Sequence, residues 1–293
     1  LNIEGLQSTL RPYQEVGVKW LWFLYSYGLS GLLCDDMGLG KTHQAMALLA
    51  ASRNARGEKK PQYFVVCPTS VLYHWEDLLQ KFLPDFKVVI FYGTQRTLKT
   101  FNKNADILLT SYGTLRSERE LLSTLEFDIA ILDEIQIAKN AQSQTHQALS
   151  MLRAKTKIGL SGTPIENRLL ELKALFDIVL PGYMPKTSLY RELFINPIEK
   201  LDDLEKRALL SRLINPFVLR RKKKEVLDDL PEKIEEIAHC FLSEEQRNLY
   251  RNVVKKSRET ILKDIENSEK DVPYMHVFAL LNTLKQICNH PAL

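Results

Sequence analysis

Short apolar runs alternate with amphipathic, helix-forming segments along the first half of the chain. A short continuous apolar run is typical of a strand that is buried on both faces. Because parallel strands need crossover connections, regular alternation of such strands with helices predicts an α/β fold, in which helices cover a parallel sheet on both sides. The predicted strands are residues 29–34, 63–67, 88–92, 107–110, 129–132 and 158–160, and helices are predicted at 43–52, 71–82 and 142–152.

The pattern becomes mostly helical after Pro164. A helix is expected at 169–180, and a Pro-Gly pair follows it, which is a strong helix-ending signal. We expect three regions. Residues 1–185 contain the sheet. Residues 186–242 form a mostly helical extension, with a strand at 234–242 that returns to the sheet. Residues 243–293 form a helical hairpin that protrudes from the core.

The first candidate functional motif directly follows the strand predicted at 29–34. Residues 35–42 read Asp-Asp-Met-Gly-Leu-Gly-Lys-Thr, and a helix-forming run comes directly after them. A strand, a glycine loop ending in Gly-Lys-Thr and a helix together hold a nucleoside triphosphate. The generic loop has glycine where this chain has Asp35. The residues predicted to bind the nucleotide are Asp36, Met37, Gly38, Leu39, Gly40, Lys41 and Thr42, with Lys41 facing the terminal phosphates and Thr42 offering its hydroxyl to Mg²⁺.

A pair of carboxylates follows the strand predicted at 129–132. At the carboxyl end of a buried parallel strand, Asp133 would hold Mg²⁺, and Glu134 would orient or deprotonate the attacking water. The alternative is an acidic pair that caps a helix where the strand ends. Because the phosphate loop lies upstream on a preceding strand, we favour catalytic roles for Lys41, Asp133 and Glu134.

The composition of the chain excludes some classes of function but does not identify the function. The 293 residues are 45% hydrophobic, which is ample for a sizeable core. The 40 basic residues exceed the 36 acidic ones only slightly, which permits a nucleic-acid partner and does not establish one. The four cysteines lack metal-ligand spacing, which predicts a reduced intracellular setting and no zinc site. No apolar run reaches about 18 residues, so no membrane partner is predicted. The chain begins with Leu1 and not Met, and we expect it to be an internal piece of a longer protein.

Several motifs, read together, resemble one family. They are residues 10–14 (Leu-Arg-Pro-Tyr-Gln), the loop at 35–42, residues 66–75, 109–112, 133–136 and 160–167, the run at 219–223, and residues 286–291. Their order and spacing resemble the SWI/SNF family of superfamily-two helicase-like ATPases, and the resemblance covers nearly the whole chain. The family's loop commonly begins Asp-Glu or Asp-Asp, which accounts for the missing first glycine.

The resemblance implies a RecA-like P-loop lobe, the first motor lobe of a DNA-dependent ATPase and double-stranded DNA translocase. It implies ATP and Mg²⁺ as cofactors. The partners implied are the duplex DNA backbone, a second RecA-like lobe after Leu293 in the same polypeptide, and a protein component of a nucleoprotein complex. Two alternatives stay open: a strand-separating helicase or restriction-type translocase of the same superfamily, and a nucleotide-binding scaffold without turnover.

The resemblance also assigns roles to polar residues outside the loop. Gln14 would read the adenine edge, unless it is a solvent-facing residue of an amphipathic helix. The residues at helix starts that would lie along DNA, and that as bare sequence are N-caps, are Thr69, Ser70, Thr110 and Ser111. The residues that would couple the ATP and DNA sites are Gln136, Ser161, Gly162 and Thr163.

Two further features concern a basic run and the residue at position 136. The basic run at 220–224 is either a DNA-phosphate patch or a solvated helix face. In the motif at residues 133–136, Gln136 stands where the family commonly has His, and this resembles the bacterial branch of the family. The expected localisation is therefore the cytoplasm or nucleoid of a bacterium, or the nucleus if the protein is eukaryotic.

Overall fold

A parallel sheet forms the centre of the computed structural model. The structure describes residues 1–55, 61–94, 96–98, 101, 105–162, 168–226, 238–267 and 274–290. Seven strands pair in the order β3-β4-β2-β5-β6-β1-β7, and all six neighbouring pairs are parallel. The strands are β1 (Gly31–Leu33), β2 (Tyr63–Cys67), β3 (Val88–Phe91), β4 (Ile107–Ser111), β5 (Glu126–Asp133), β6 (Arg153–Leu160) and β7 (Val218–Leu219).

Helices cover both faces of the sheet, and the amphipathic segments between the strands form most of them. The α-helices of the N-terminal part are α1 (Pro12–Ser26), α2 (Lys41–Ala55), α3 (Leu72–Phe82), α4 (Tyr112–Ser117), α5 (Arg119–Ser123), α6 (Gln144–Met151), α7 (Leu169–Val179), α8 (Thr187–Tyr190), α9 (Leu204–Ile214) and α10 (Lys223–Val226). A π-helical segment spans Arg191–Lys200, and short 3₁₀ turns span Thr69–Val71, Ile135–Ala138 and Asn215–Phe217.

Two hydrophobic cores lie on the two faces, because successive strand residues point to opposite sides. Leu32 and Phe64 belong to one core, which includes the apolar residues of α7. Their neighbours Leu33 and Val65 belong to the other, which includes those of α1, α2 and α3. Burial on both faces explains why the strands read as continuous apolar runs rather than alternating ones.

All six predicted strands are present, and the predicted α/β class with a parallel sheet is confirmed. The returning strand differs in place. It is β7, two residues long and paired with β1, whereas residues 238–242 of the stretch predicted to form it are neither helix nor strand. Residues 234–237 lie outside the described residues. Two residues of extended chain give too short a pattern to be recognised from sequence.

The register of the sheet brings three strand ends into one row. Leu33 of β1 pairs with Leu160 of β6, and Leu160 pairs with Asp133 of β5. The chain segments that leave these strands therefore start side by side, which is where ligands of parallel sheets bind.

The chain divides into two compact units, Leu1–Leu230 and Pro231–Leu293. The second contains two long helices, α11 (Glu244–Asn267) and α12 (Tyr274–Asn289), which pack against each other. Ser243 and Gln246 form a reciprocal cap at the start of α11, with Gln246 N donating to Ser243 Oγ over 3.2 Å and Ser243 N donating to Gln246 Oε1 over 3.0 Å. Of the helices that the structure describes, none combines the length and apolarity needed to cross a membrane.

Candidate nucleotide-binding site

The loop between β1 and α2 has the backbone that its glycines predict. Gly38 and Gly40 adopt φ values of 85° and 74°, which residues with a Cβ rarely adopt. A Cβ added at Gly40 would lie 2.2 Å from Gln14 Nε2, so glycine is also required by space. The loop therefore turns tightly into the first turn of α2, which begins at Lys41.

Gln14 is part of this site and not a solvent-facing residue. It is 8% exposed, so the solvent-facing alternative is wrong. Its Nε2 donates to the Leu39 carbonyl over 3.1 Å, and its Oε1 accepts from the Arg11 backbone N–H at 2.8 Å. These contacts join the start of α1 to the loop, and the predicted adenine contact of Gln14 stays a prediction.

The Lys41 side chain is held in place by backbone carbonyl groups of the loop. Its Nζ donates to the Asp35 carbonyl oxygen at 2.7 Å and to that of Asp36 at 3.4 Å. A Cβ added at Gly162, after β6, would lie 3.9 Å from Lys41 Nζ and 3.1 Å from Met37 Cγ. The start of the segment after β6 therefore lies close to the phosphate loop. Ser161 is fully buried and its N–H donates to Leu33 O over 3.1 Å, while Thr163 lies outside the described residues.

Asp133, at the end of β5, is oriented by two aromatic residues. Trp75 Nε1 donates to Asp133 Oδ2 at 2.8 Å, and the Tyr112 hydroxyl donates to the Asp133 carbonyl at 2.7 Å. The Glu134 N–H donates to Asp133 Oδ1 at 3.1 Å. Both carboxylate oxygens of Asp133 therefore accept a hydrogen bond from the protein, which fixes the orientation of the carboxylate.

The pKa of Asp133 is raised above its ordinary value, and burial is the main cause. The Trp75 hydrogen bond lowers this pKa, the neighbouring charge of Glu134 raises it, and the Glu134 backbone bond and the Lys41 charge lower it. Lys41 is thus close enough to interact electrostatically with Asp133, which brings the two predicted halves of the site together.

Glu134 occupies a left-handed backbone conformation, with φ 51° and ψ 48°. A residue with a Cβ is uncommon there, and such strain costs about 1–3 kcal/mol where it occurs. The sharp turn changes the chain direction directly after β5. Gln136 Nε2 donates to Glu134 Oε2 at 2.5 Å, whereas Gln136 Oε1 is buried with no hydrogen-bond partner among the described residues. Gln136 therefore fixes Glu134, and its role in coupling stays a prediction.

The four predicted DNA-contacting residues lie at the carboxyl end of the sheet in two different settings. Thr69 and Ser70 are exposed in the 3₁₀ turn after β2. Thr110 and Ser111 are fully buried. Thr110 Oγ1 donates to Phe91 O, and Ser111 Oγ accepts the Thr114 N–H as the N-cap of α4. The alternative N-cap role holds for Ser111, and a DNA role for any of the four stays a prediction.

Sequence reasoning gave no role to Trp75 or Tyr112, and it missed that Arg221 lies in this site. Arg221 forms an ion pair with the buried Asp35, so for this residue neither the DNA patch nor the solvated helix face applies. The signal that was available is Asp35 itself, which stands where the generic loop has glycine.

Comparison with known proteins agrees with this geometry. The SNF2-related domain family matches residues 13–293. The chain belongs to the SNF2-related domain family. It is 38% identical, over 99% of its length, to the TATA-binding protein-associated factor MOT1 of Saccharomyces cerevisiae. It is 40% identical, again over 99%, to the putative ATP-dependent helicase/translocase YwqA of Bacillus subtilis.

A solved structure of the Sulfolobus solfataricus SWI2/SNF2 ATPase core in complex with double-stranded DNA resembles the whole chain, with a TM-score of 0.70 and 34% identity. The chain covers 61% of that structure, 17% of MOT1 and 32% of YwqA. The family resemblance and the RecA-like fold are thereby confirmed.

The raised pKa of Asp133 leads to a stability prediction. A carboxyl whose pKa is higher in the folded state than in the unfolded state opposes folding when it is ionised. This penalty is fully present above the folded-state pKa and is absent below the unfolded-state pKa. Asp133→Asn should therefore stabilise the protein by about 1 kcal/mol at neutral pH, even though it weakens the Trp75 hydrogen bond. The gain should shrink as pH falls toward the ordinary range of a carboxyl.

Urea unfolding at about pH 7 and about pH 4.5 would measure this difference. Asp128→Asn is the matched control, because Asp128 accepts from Lys155 Nζ at 3.0 Å and its loss should not stabilise. A destabilised Asp133→Asn at neutral pH would contradict the prediction.

Proposed function

We propose that this chain is the nucleotide-binding lobe of a SWI/SNF-type DNA-dependent ATPase, which hydrolyses Mg-ATP to move along double-stranded DNA and remodel protein–DNA complexes. The observation that carries this proposal is the meeting of Lys41, Asp133 and the segment after β6 at one row of strand ends, in a chain of the SNF2-related family.

The residues at the site fit a magnesium nucleotide. Gly38 and Gly40 leave a loop without side chains at two positions, so phosphates can approach the backbone. Thr42 and Asp133 offer a hydroxyl and a carboxylate, which are the hard oxygen ligands that Mg²⁺ prefers. When bound, Mg²⁺ would neutralise charge on the terminal phosphates.

Each side chain at the site has its own role in the proposed reaction. Lys41 stabilises charge on the phosphates, and Gln14 selects adenine. Glu134 orients or deprotonates the attacking water, and Gln136 keeps the Glu134 carboxylate in place. Asp133 stays anchored by Trp75, so it can bind metal without moving.

The proposed partners are the duplex DNA backbone, a second RecA-like lobe of the same polypeptide, and a protein component of a nucleoprotein complex. The exposed Thr69 and Ser70 are the first candidates for phosphate contacts. All four cysteines are free, which supports an intracellular setting.

Hydrolysis by the 293-residue chain alone should be slow and barely stimulated by duplex DNA. Arginine fingers are worth about 10³–10⁵ in rate, and in our proposal the second lobe supplies them. Glu134→Gln should lower the rate about a hundredfold or more, because it removes a general base.

Lys41→Ala should instead weaken nucleotide binding, because it removes the charge that faces the phosphates.

Steady-state phosphate release, with and without duplex, would test this on the chain and on the polypeptide that includes the second lobe. Glu126→Gln, an exposed residue at the opposite end of β5, is the control. Strong duplex stimulation of the chain alone would contradict the two-lobe account. No turnover in the longer polypeptide would favour a scaffold, and strand displacement by it would favour a helicase.

Trp75→Phe should weaken magnesium binding while leaving the fold intact. The phenyl ring keeps most of the buried bulk, and only the donor to Asp133 Oδ2 is lost. Removal of a partner that orients a metal ligand typically costs about 10–100-fold in metal affinity. Without the bond, the pKa of Asp133 should also rise further, so magnesium binding should weaken more steeply as pH falls.

Magnesium titrations of nucleotide binding at two pH values would measure both effects. Trp22→Phe, on α1 and outside the candidate site, is the matched control. Equal magnesium dependence in the wild type and Trp75→Phe would exclude the anchoring role.

DNA binding should be indifferent to sequence and sensitive to salt, because the candidate contacts meet phosphates. Affinity for duplex DNA should fall at least about tenfold between low and physiological salt. A Thr69→Ala, Ser70→Ala double variant should lose affinity equally for different sequences.

Fluorescence anisotropy with two unrelated duplexes would measure these effects. Thr124→Ala is the control, because Thr124 is exposed and lies just before β5, at the amino-terminal ends of the strands and away from Thr69 and Ser70. Sequence-selective binding that survives high salt would argue against a backbone-tracking protein.

A further inference from the structure

The phosphate loop is held from its outer side by the segment of residues 219–223, which we name the strap. The parallel pairing of β1 with β7 continues beyond both strands. Cys34 N–H donates to Leu219 O at 2.6 Å, and Asp36 N–H donates to Arg221 O at 3.0 Å. The Lys223 N–H then donates to Asp36 Oδ2 at 3.1 Å. The backbone N–H groups on either side of Asp35 are therefore bound to the strap as in a parallel strand.

A buried ion pair lies at the centre of the strap. Asp35 is fully buried, and the Arg221 side chain is 12% exposed. Asp35 Oδ1 accepts from Arg221 N at 3.1 Å and from Nε at 2.9 Å, and Asp35 Oδ2 accepts from Nη2 at 2.5 Å. Gln44 Nε2 adds a fourth donor at 3.2 Å. The pair is thus the bidentate, fully hydrogen-bonded kind that holds a carboxylate in one orientation.

The same guanidinium ties the loop to the two helices beside it. Nη2 also donates to Gln44 Oε1 of α2 at 2.8 Å, and Nη1 donates to the Tyr13 carbonyl of α1. A Cβ added at Gly17 of α1 would lie 2.7 Å from Arg221 Nη2 and 1.9 Å from Gln44 Oε1. The glycine therefore makes the room that this network occupies.

This network reaches Lys41 through a single residue. Asp35, whose side chain Arg221 fixes, also accepts Lys41 Nζ on its carbonyl oxygen at 2.7 Å. A shift of Asp35 would change both the start of the loop and the place where Lys41 rests. A glycine at this position, as in the generic loop, would leave no carboxylate for Arg221.

We propose that Arg221 is a positioning residue of the nucleotide site, which through Asp35 sets the conformation of the phosphate loop and the placement of Lys41. The proposal rests on the nucleotide-binding function proposed above. Removal of one partner leaves a buried, uncompensated charge, and a movement of the loop that exposes this charge to water would relieve it. A displacement of about 1 Å at a binding group can cost about a hundredfold in catalysis.

The test compares Arg221→Gln, Arg221→Lys and Asp35→Asn for ATP affinity by calorimetry and for thermal midpoint. Arg221→Gln should weaken ATP binding by about ten- to a hundredfold. Arg221→Lys should restore part of the loss at most, because an ammonium cannot reproduce the planar fork. In a double-mutant cycle the losses of Asp35→Asn and Arg221→Gln should not add, because both remove the same pair.

Arg96→Gln is the matched control. Arg96 makes the same kind of contacts at another place, with Nε and Nη2 on Glu118 Oε1 and Nη1 on Gly93 O. Its loss should lower the thermal midpoint without changing ATP affinity. This comparison separates positioning from a general loss of stability.

A folded Arg221→Gln with wild-type ATP affinity would overturn the proposal. Should that variant fail to fold, the double variant, which has no unpaired charge, carries the test, and wild-type affinity in it would overturn the proposal equally. A wild-type chain that binds no nucleotide would instead refute the proposed function itself.

Discussion

The backbone register of the parallel sheet is the constraint on which the site depends. Hydrogen bonding places Leu33, Leu160 and Asp133 in one row. Three chain segments far apart in sequence must therefore leave the sheet at the same level. The loop, the acidic pair and the Ser161–Gly162 turn follow from that row. A slip of one residue in β5 would point Asp133 to the other face of the sheet.

The site concentrates features that are unfavourable for folding. The carboxyl of Asp133 is buried enough to raise its pKa, and Glu134 has a strained backbone. Gln136 leaves one buried oxygen without a partner among the described residues. The surrounding packing holds these features in place: Trp75 and Tyr112 are nearly fully buried and both donate to Asp133. Stability is thus given up where a charged ligand is expected to bind.

The elements that sequence predicts well are those with a local signal. Six strands and the phosphate loop were predictable because apolar runs and Gly-Lys-Thr are contiguous patterns. Arg221 was not, because its partner Asp35 lies 186 residues away and the strand that leads to it has two residues. The buried state of Thr110 was equally hidden, since a polar residue at a strand end gives the same pattern whether or not a neighbouring strand covers it.

The hydrogen bonds that occupy the Arg221 guanidinium bear on which residue could serve as the arginine finger in the proposed ATPase. An arginine finger accelerates phosphoryl transfer because it stabilises the charge of the transition state. Arg221 is an arginine that contacts the loop, yet its donors are committed to Asp35, Gln44 and Tyr13 O, and its side chain is nearly buried. It cannot swing toward the terminal phosphate without leaving Asp35 charged and unpaired. An arginine that holds the loop is thereby unavailable as a finger, which agrees with our proposal that the finger comes from a second lobe of the polypeptide while this lobe binds the nucleotide.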